Sequence, residues 1–157
     1  MKLTEVTFSD LSNIVHQIFI SEHQRFATPD FKIIKFVGVY DYGSAGANDG
    51  LYIRAIYEAV HTAWYTHANI LDFTELDYQW GDQMDHVFNF GWNSYIQYQH
   101  PLVVIVGERC REALQSLLTS NYQKDCCDTL EEAIQLAKQK HLDHEKHLAE
   151  WRNSVGI

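Results

Sequence analysis

Apolar and polar positions along this chain follow two rhythms, one suited to helices and one to strands. After Ser9-Asp10, residues Leu11, Ile14, Val15, Ile18 and Phe19 are spaced for one apolar stripe, which predicts a first helix. Thr28-Pro29-Asp30 breaks the chain. Phe31 to Tyr40 is rich in β-branched and aromatic residues and reads as a central strand, with Lys32 and Lys35 implying that part of it faces water. A glycine-rich segment, 43–50, then leads into a helix from about Leu51 to Thr66, with Asn48 or Asp49 available as its cap. Ile53, Ile56, Tyr57, Val60, Ala63 and Trp64 are its inward positions.

The second half repeats the strand-to-helix rhythm. Strand 70–73 runs into a polar turn and then a helix near Gly81–Gln97, with Met84, Val87, Phe88, Trp92, Tyr95 and Ile96 inward. His100-Pro101 ends that helix. Leu102-Val103-Val104-Ile105-Val106 lacks alternation, the mark of a strand covered on both faces. Gly107 turns into a helix carrying Ala113, Leu114, Leu117 and Leu118. Tyr122 to Cys127 reads as an edge strand, and Asp128 or Thr129 caps a long last helix. Thr129 and Glu132 form a capping box there, and Leu130, Ala133, Ile134, Ala137, Leu148 and Trp151 carry the stripe.

These elements predict an α/β fold: one domain over residues 1–157, with a mainly parallel central sheet of four to five strands flanked by helices. Residues 1–30 form a helical extension, 31–140 the core and 141–157 the end of the last helix, with an added hairpin near 22–40 as a variant. In such sheets, sites collect where strands hand over to helices.

Composition narrows the function classes. Apolar residues make up 46% and charged residues 21%, with two prolines, which argues for an ordered core. No run reaches the ~18 apolar residues of a membrane span, and Met1-Lys2-Leu3-Thr4-Glu5 lacks the apolar core of a secretory signal. Cys110, Cys126 and Cys127 are an odd count with two adjacent, which suits a reduced compartment, so the expected location is the cytoplasm. The formal charge of −9 argues against nucleic acid and for steering toward a basic protein. Nine histidines mean that this steering should weaken at mildly acid pH.

Motifs for chemistry are sparse. Segment 43–50 matches neither GxGxxG nor GxxxxGK[ST], and a plain strand-to-helix loop is the better reading. His141, His144 and His147 turn by about 60° per step around a helix. The charges among them predict a solvated face, not a metal site. No cofactor or metal is expected, and no nucleophile signature is present. Asp72, Asp77, Asp82, Asp85 and His86 cluster in sequence, so the alternative to a binding domain is a small-molecule or acyl-group enzyme using acid–base residues between Asp72 and His86.

The segment Ile70-Leu71-Asp72-Phe73-Thr74-Glu75-Leu76-Asp77-Tyr78 resembles the strand segment of STAS domains, the family that includes bacterial anti-sigma-factor antagonists. Leu102–Val106 with Ala113-Leu114, and Asp128-Thr129-Leu130-Glu131-Glu132-Ala133, resemble the strand and helix starts that follow in that family. The resemblance covers residues 31–140 and implies a binding surface around the turn before the second helix. Where STAS regulators carry an Asp-Ser pair whose Ser is phosphorylated, this chain has Trp80 and Gly81, with Asp82 in place of a small residue. The phosphoswitch therefore does not carry over.

Tyr42, Trp80, Phe90 and Tyr98 fall outside the inward stripes and are expected to be exposed. Exposed Tyr and Trp among acids suit capture of a basic protein. The expected function is thus a non-catalytic, acidic protein-binding domain. It would be a regulator or antagonist, a class that includes immunity proteins that neutralise toxins. Its expected contact residues are Tyr42, Asp49, Asp77, Trp80, Asp82, Asp85 and Phe90. Self-assembly through the aromatic helix, as a homodimer, is a further option.

Overall fold

The structure is a computed structural model that describes residues 1–94 and 97–156. A five-stranded sheet forms its centre. The strands are β1 (Val15–Ile20), β2 (Phe31–Val39), β3 (Ala68–Asp77), β6 (Leu102–Val106) and β7 (Cys126–Cys127), lying side by side in that order. β1 runs antiparallel to β2, and every other neighbouring pair is parallel. The mainly parallel α/β architecture read from the sequence is the one observed.

Burial follows from the strand sequences. All five residues of β6 are buried, as an unbroken apolar run requires when both faces are covered. One face carries Ile34, Phe36, Leu71, Phe73, Val104 and Val106. It packs against α1 (Ala47–Ala63), the short α2 (Met84–Phe88) and α3 (Arg111–Leu118). The other face carries Ala68, Ile70, Val103 and Ile105 and meets α5 (Leu130–Val155) through Ala133 and Ala137, whose small side chains let the helix approach closely. Thr129 caps α5 with the predicted capping box: its hydroxyl accepts from the Glu132 amide at 3.2 Å, and the Glu132 carboxylate accepts from the Thr129 amide.

Several elements differ from the sequence expectation. Instead of a helix, Ser9–Phe19 gives a single turn at Phe8–Asp10 followed by strand β1, so the helical extension over 1–30 is replaced by a sheet edge. Ile14, Val15, Ile18 and Phe19 satisfy both a helical and a strand spacing, and pairing with β2 decides between them. α1 starts at Ala47 with Gly46 at its cap, which places Asn48 and Asp49 inside the helix. Trp64 lies beyond its end and is exposed. β3 extends to Asp77.

The helix expected over 81–97 shrinks to α2, and a two-stranded hairpin follows, β4 (Trp92–Asn93) with β5 (Tyr98–Gln99). Gly91 at φ +82° turns the chain out of the helix, and the Gln99 amide holds the turn by donating to the Phe88 and Phe90 carbonyls. The inward positions expected at Tyr95 and Ile96 lie outside the described residues. Tyr122–Cys127 forms a helical turn, α4 (Tyr122–Asp125), before the two residues of β7. Lys32 does not face water: it is 0% exposed, with its ammonium donating to the Trp64 carbonyl at 2.8 Å.

Candidate functional site

The carboxyl ends of β2 and β3 are tied to the loops beyond them by backbone hydrogen bonds. The Tyr40 amide donates to the Asp77 carbonyl at 2.9 Å, and the Gly43 amide donates to the Trp80 carbonyl at 3.0 Å. The Asp82 amide returns a bond to the Gly43 carbonyl at 3.3 Å, so Gly43 and Gly81 extend the sheet as a parallel bridge. Two loops thereby become one surface.

Tyr40 is the post on which this surface is built. Its buried ring meets Tyr78 edge-on at 4.9 Å, and its hydroxyl donates to the Asp82 carbonyl. Burial, with the acids Asp49 and Asp82 nearby, raises the pKa of that phenol, so it stays a neutral donor. Glycine is needed where the loops wrap the ring. A Cβ on Gly46 would fall 2.3 Å from Tyr40 Cε1, and one on Gly81 would fall 2.4 Å from the same atom. The glycine-rich segment therefore serves close packing around an aromatic ring.

Above this base, Tyr42 and Trp80 stand together in solvent. They are 71% and 56% exposed, and their ring centroids are 5.5 Å apart. Asp82 and Asp85 are exposed beside them on the path into α2, and Asp85 lies 3.9 Å from the imidazole of His86. A recess of about 390 Å³ opens between Trp80 and α3, lined by Tyr78, Gln79, Gly81, Glu112, Ala113, Ser116 and Leu117.

Of the seven expected contact residues, the structure gathers Tyr42, Trp80 and Asp82, with Asp85 just beyond. Asp77 sits at the base, half-buried, 3.6 Å from the Arg109 guanidinium. Asp49 belongs to the interior: it is 6% exposed, accepts from the Ser12 hydroxyl at 2.5 Å and accepts from the Asp41 amide at 2.8 Å. Those two donors satisfy it, so it offers a partner no free carboxylate. Phe90 is turned away and packs edge-on against Tyr57 and His61 at 4.8 and 5.3 Å. Tyr98 is half-buried against His144 and His147. Glu112 and Ser116 escaped sequence reasoning because nothing local marks which face of α3 turns toward a turn thirty residues earlier.

Asp72 does not join His86 in the acid–base grouping expected between them. Asp72, two residues after Ile70, shares its face and so points to the α5 side, whereas α2, which carries His86, packs on the face of Leu71 and Phe73. Asp72 is instead spent on Thr74, accepting from its amide at 2.9 Å and its hydroxyl at 2.6 Å. Burial pushes the Cys110 thiol up to about 11 and the Cys126 thiol to about 12, which leaves both as poor nucleophiles at neutral pH. Among the described residues, no three His, Cys, Asp or Glu side chains converge as a metal site requires.

A second polar group occupies the opposite end of the strands. His61 and His100 lie 4.9 Å apart, His100 and His144 6.1 Å, and His67 stacks on His141 at 4.2 Å. The three histidines of α5 thus face the body of the protein, in place of the solvated face expected for them. Burial, with His61, Lys32 and His144 nearby, drives the His100 pKa down to about 3, and burial also lowers that of Lys32 to about 8. This group locks α5 and the hairpin to the end of α1. Compared with protein-family models and with curated proteins, the chain matches none.

Proposed function

We propose that this chain is a non-catalytic binding domain that captures a basic protein at the Tyr42–Trp80 surface, acting as a regulator or antagonist of that partner. The observation that carries the reading is the exposed aromatic pair on a backbone that is already fixed. Large exposed aromatics are unfavourable in water unless a partner covers them, and Trp and Tyr dominate interface hot spots. A bridged scaffold means that little ordering entropy opposes binding.

Charge supports the same reading. Asp82 and Asp85 flank the pair, Glu112 lines the adjoining recess, and the chain as a whole carries −9. A basic partner would be steered toward this face and slowed by salt. The STAS-like resemblance points to the same turn, with aromatic and acidic contacts replacing the phosphorylated serine. An antagonist that inactivates its target by occupying a basic surface, as an immunity protein would, fits this arrangement.

The test is a capture experiment from the native cell with immobilised wild-type chain, beside Trp80→Ala and Asp82→Ala. A basic protein retained by the wild type and lost with both variants supports the proposal. Equal retention by all three would remove this surface from consideration.

A further inference from the structure

A different surface, at the β1 edge of the sheet, is open in two directions. β1 is the terminal strand, so among the described residues its outer row of amides and carbonyls has no strand beside it. Its outward side chains, Val15, Gln17 and Phe19, are exposed, and α5 packs on β3, β6 and β7. Val15 and Phe19 are 58% and 51% exposed there, while His16 and Ile18 turn inward, His16 onto the Tyr52 hydroxyl at 2.7 Å.

Natural sheets guard such edges with charges, proline or bulges. The sequence Val-His-Gln-Ile-Phe-Ile of β1 contains no proline, lysine, arginine or acid, and it pairs with β2 over six consecutive residues without a register shift. That selects the occupant. A basic partner gains nothing from an uncharged strand, and two copies at −9 each add least to their mutual repulsion where they meet through a surface free of acid. β1 is such a surface, and it is self-complementary.

We infer that two copies of this chain pair antiparallel through β1, forming one continuous ten-stranded sheet about a two-fold axis at Gln17. This register keeps each face of the sheet continuous across the seam. It sets Val15 of one copy opposite Phe19 of the other, twice by symmetry, which is the aromatic and β-branched pairing that cross-strand contacts favour. His16 and Ile18 pair likewise on the inner face. The proposal does not depend on the partner surface at Trp80, which lies beyond the ends of β2 and β3.

The test is the mass of the full chain by light scattering and sedimentation velocity across a micromolar concentration range, with circular dichroism to check folding. The wild type should pass from one to two chain masses as concentration rises. The double variant Val15→Lys with Phe19→Lys puts like charges opposite at both symmetric positions, and should raise the dimer dissociation constant by roughly tenfold or more. Val15→Glu with Phe19→Lys sets opposite charges across the seam and should restore association. A second readout covers loss of folding in these variants: Gln17→Cys should form an intermolecular disulfide under mild oxidation, against the wild type with its three native cysteines as control. A wild type of one chain mass throughout would overturn the proposal. So would a dimer indifferent to the lysine pair, or no cross-link at Gln17→Cys.

Discussion

The ring of Trp80 leans on that of Tyr42 with centroids 5.5 Å apart, across two loops that the chain separates by nearly forty residues. Their carrier backbones are joined through Gly43 and Gly81, and beneath them the ring of Tyr40 fills the space that Gly46 and Gly81 leave. The exposed pair is thus an outgrowth of the core.

That packing makes Gly81 sensitive. Gly81→Ala would place a methyl 2.4 Å from Tyr40 Cε1, with no room for the ring to withdraw between Gly46 and Gly50. Overpacking of this kind costs about 1–3 kcal/mol. Thermal unfolding should show Tm falling by roughly 2–4 °C per kcal/mol for a chain of this size. An unchanged Tm would mean that Tyr40 does not brace the loops.

Acid should destabilise the opposite end of the sheet. His100 binds a proton at about pH 3 in the folded state, against the ordinary imidazole value of 6.5 when unfolded. The unfolded chain therefore holds more protons between these limits, and stability falls as pH drops from 6.5 toward 3, by up to about 1.4 kcal/mol per pH unit for this residue. His61 and His144, also lowered by burial, add in the same direction. Denaturant titrations from pH 7 to pH 4 should show this slope, and His100→Gln should flatten it. Equal slopes in both proteins would contradict the assignment.

The cap of α5 is the simplest feature to check. Thr129 accepts from the Glu132 amide and Glu132 answers from the other side, so Thr129→Ala should cost about 1 kcal/mol. Equilibrium unfolding in urea would measure it directly. No loss of stability would imply that the box adds nothing to a helix already anchored by Ala133 and Ala137.

Which parts of the molecule were legible from sequence follows from how local their causes are. The unbroken apolar run of β6 and the Thr129–Glu132 box depend on neighbours a few residues away, and both formed as read. Strand β1 did not, because its apolar spacing fits two periods and only pairing with β2 separates them. The same holds in the site. Trp80 and Tyr42 stand exposed because neither belongs to an inward stripe, a local property. Asp49 reads as a surface cap but is buried by Ser12, thirty-seven residues earlier, and Phe90, in the turn after α2, is held by Tyr57 of α1. Lys32 reads as solvated for the same reason, since the Trp64 carbonyl that receives it comes from the far end of α1.

The central claim is that Trp80 is the anchor of a protein interface, and affinity for the captured partner tests it most directly. With the partner in hand, titration calorimetry should show Trp80→Ala weakening binding by about 2 kcal/mol, roughly thirtyfold in Kd, while the Tm of the variant stays at the wild-type value. A Kd unchanged by the substitution would contradict the account, and so would an affinity lost only together with the fold.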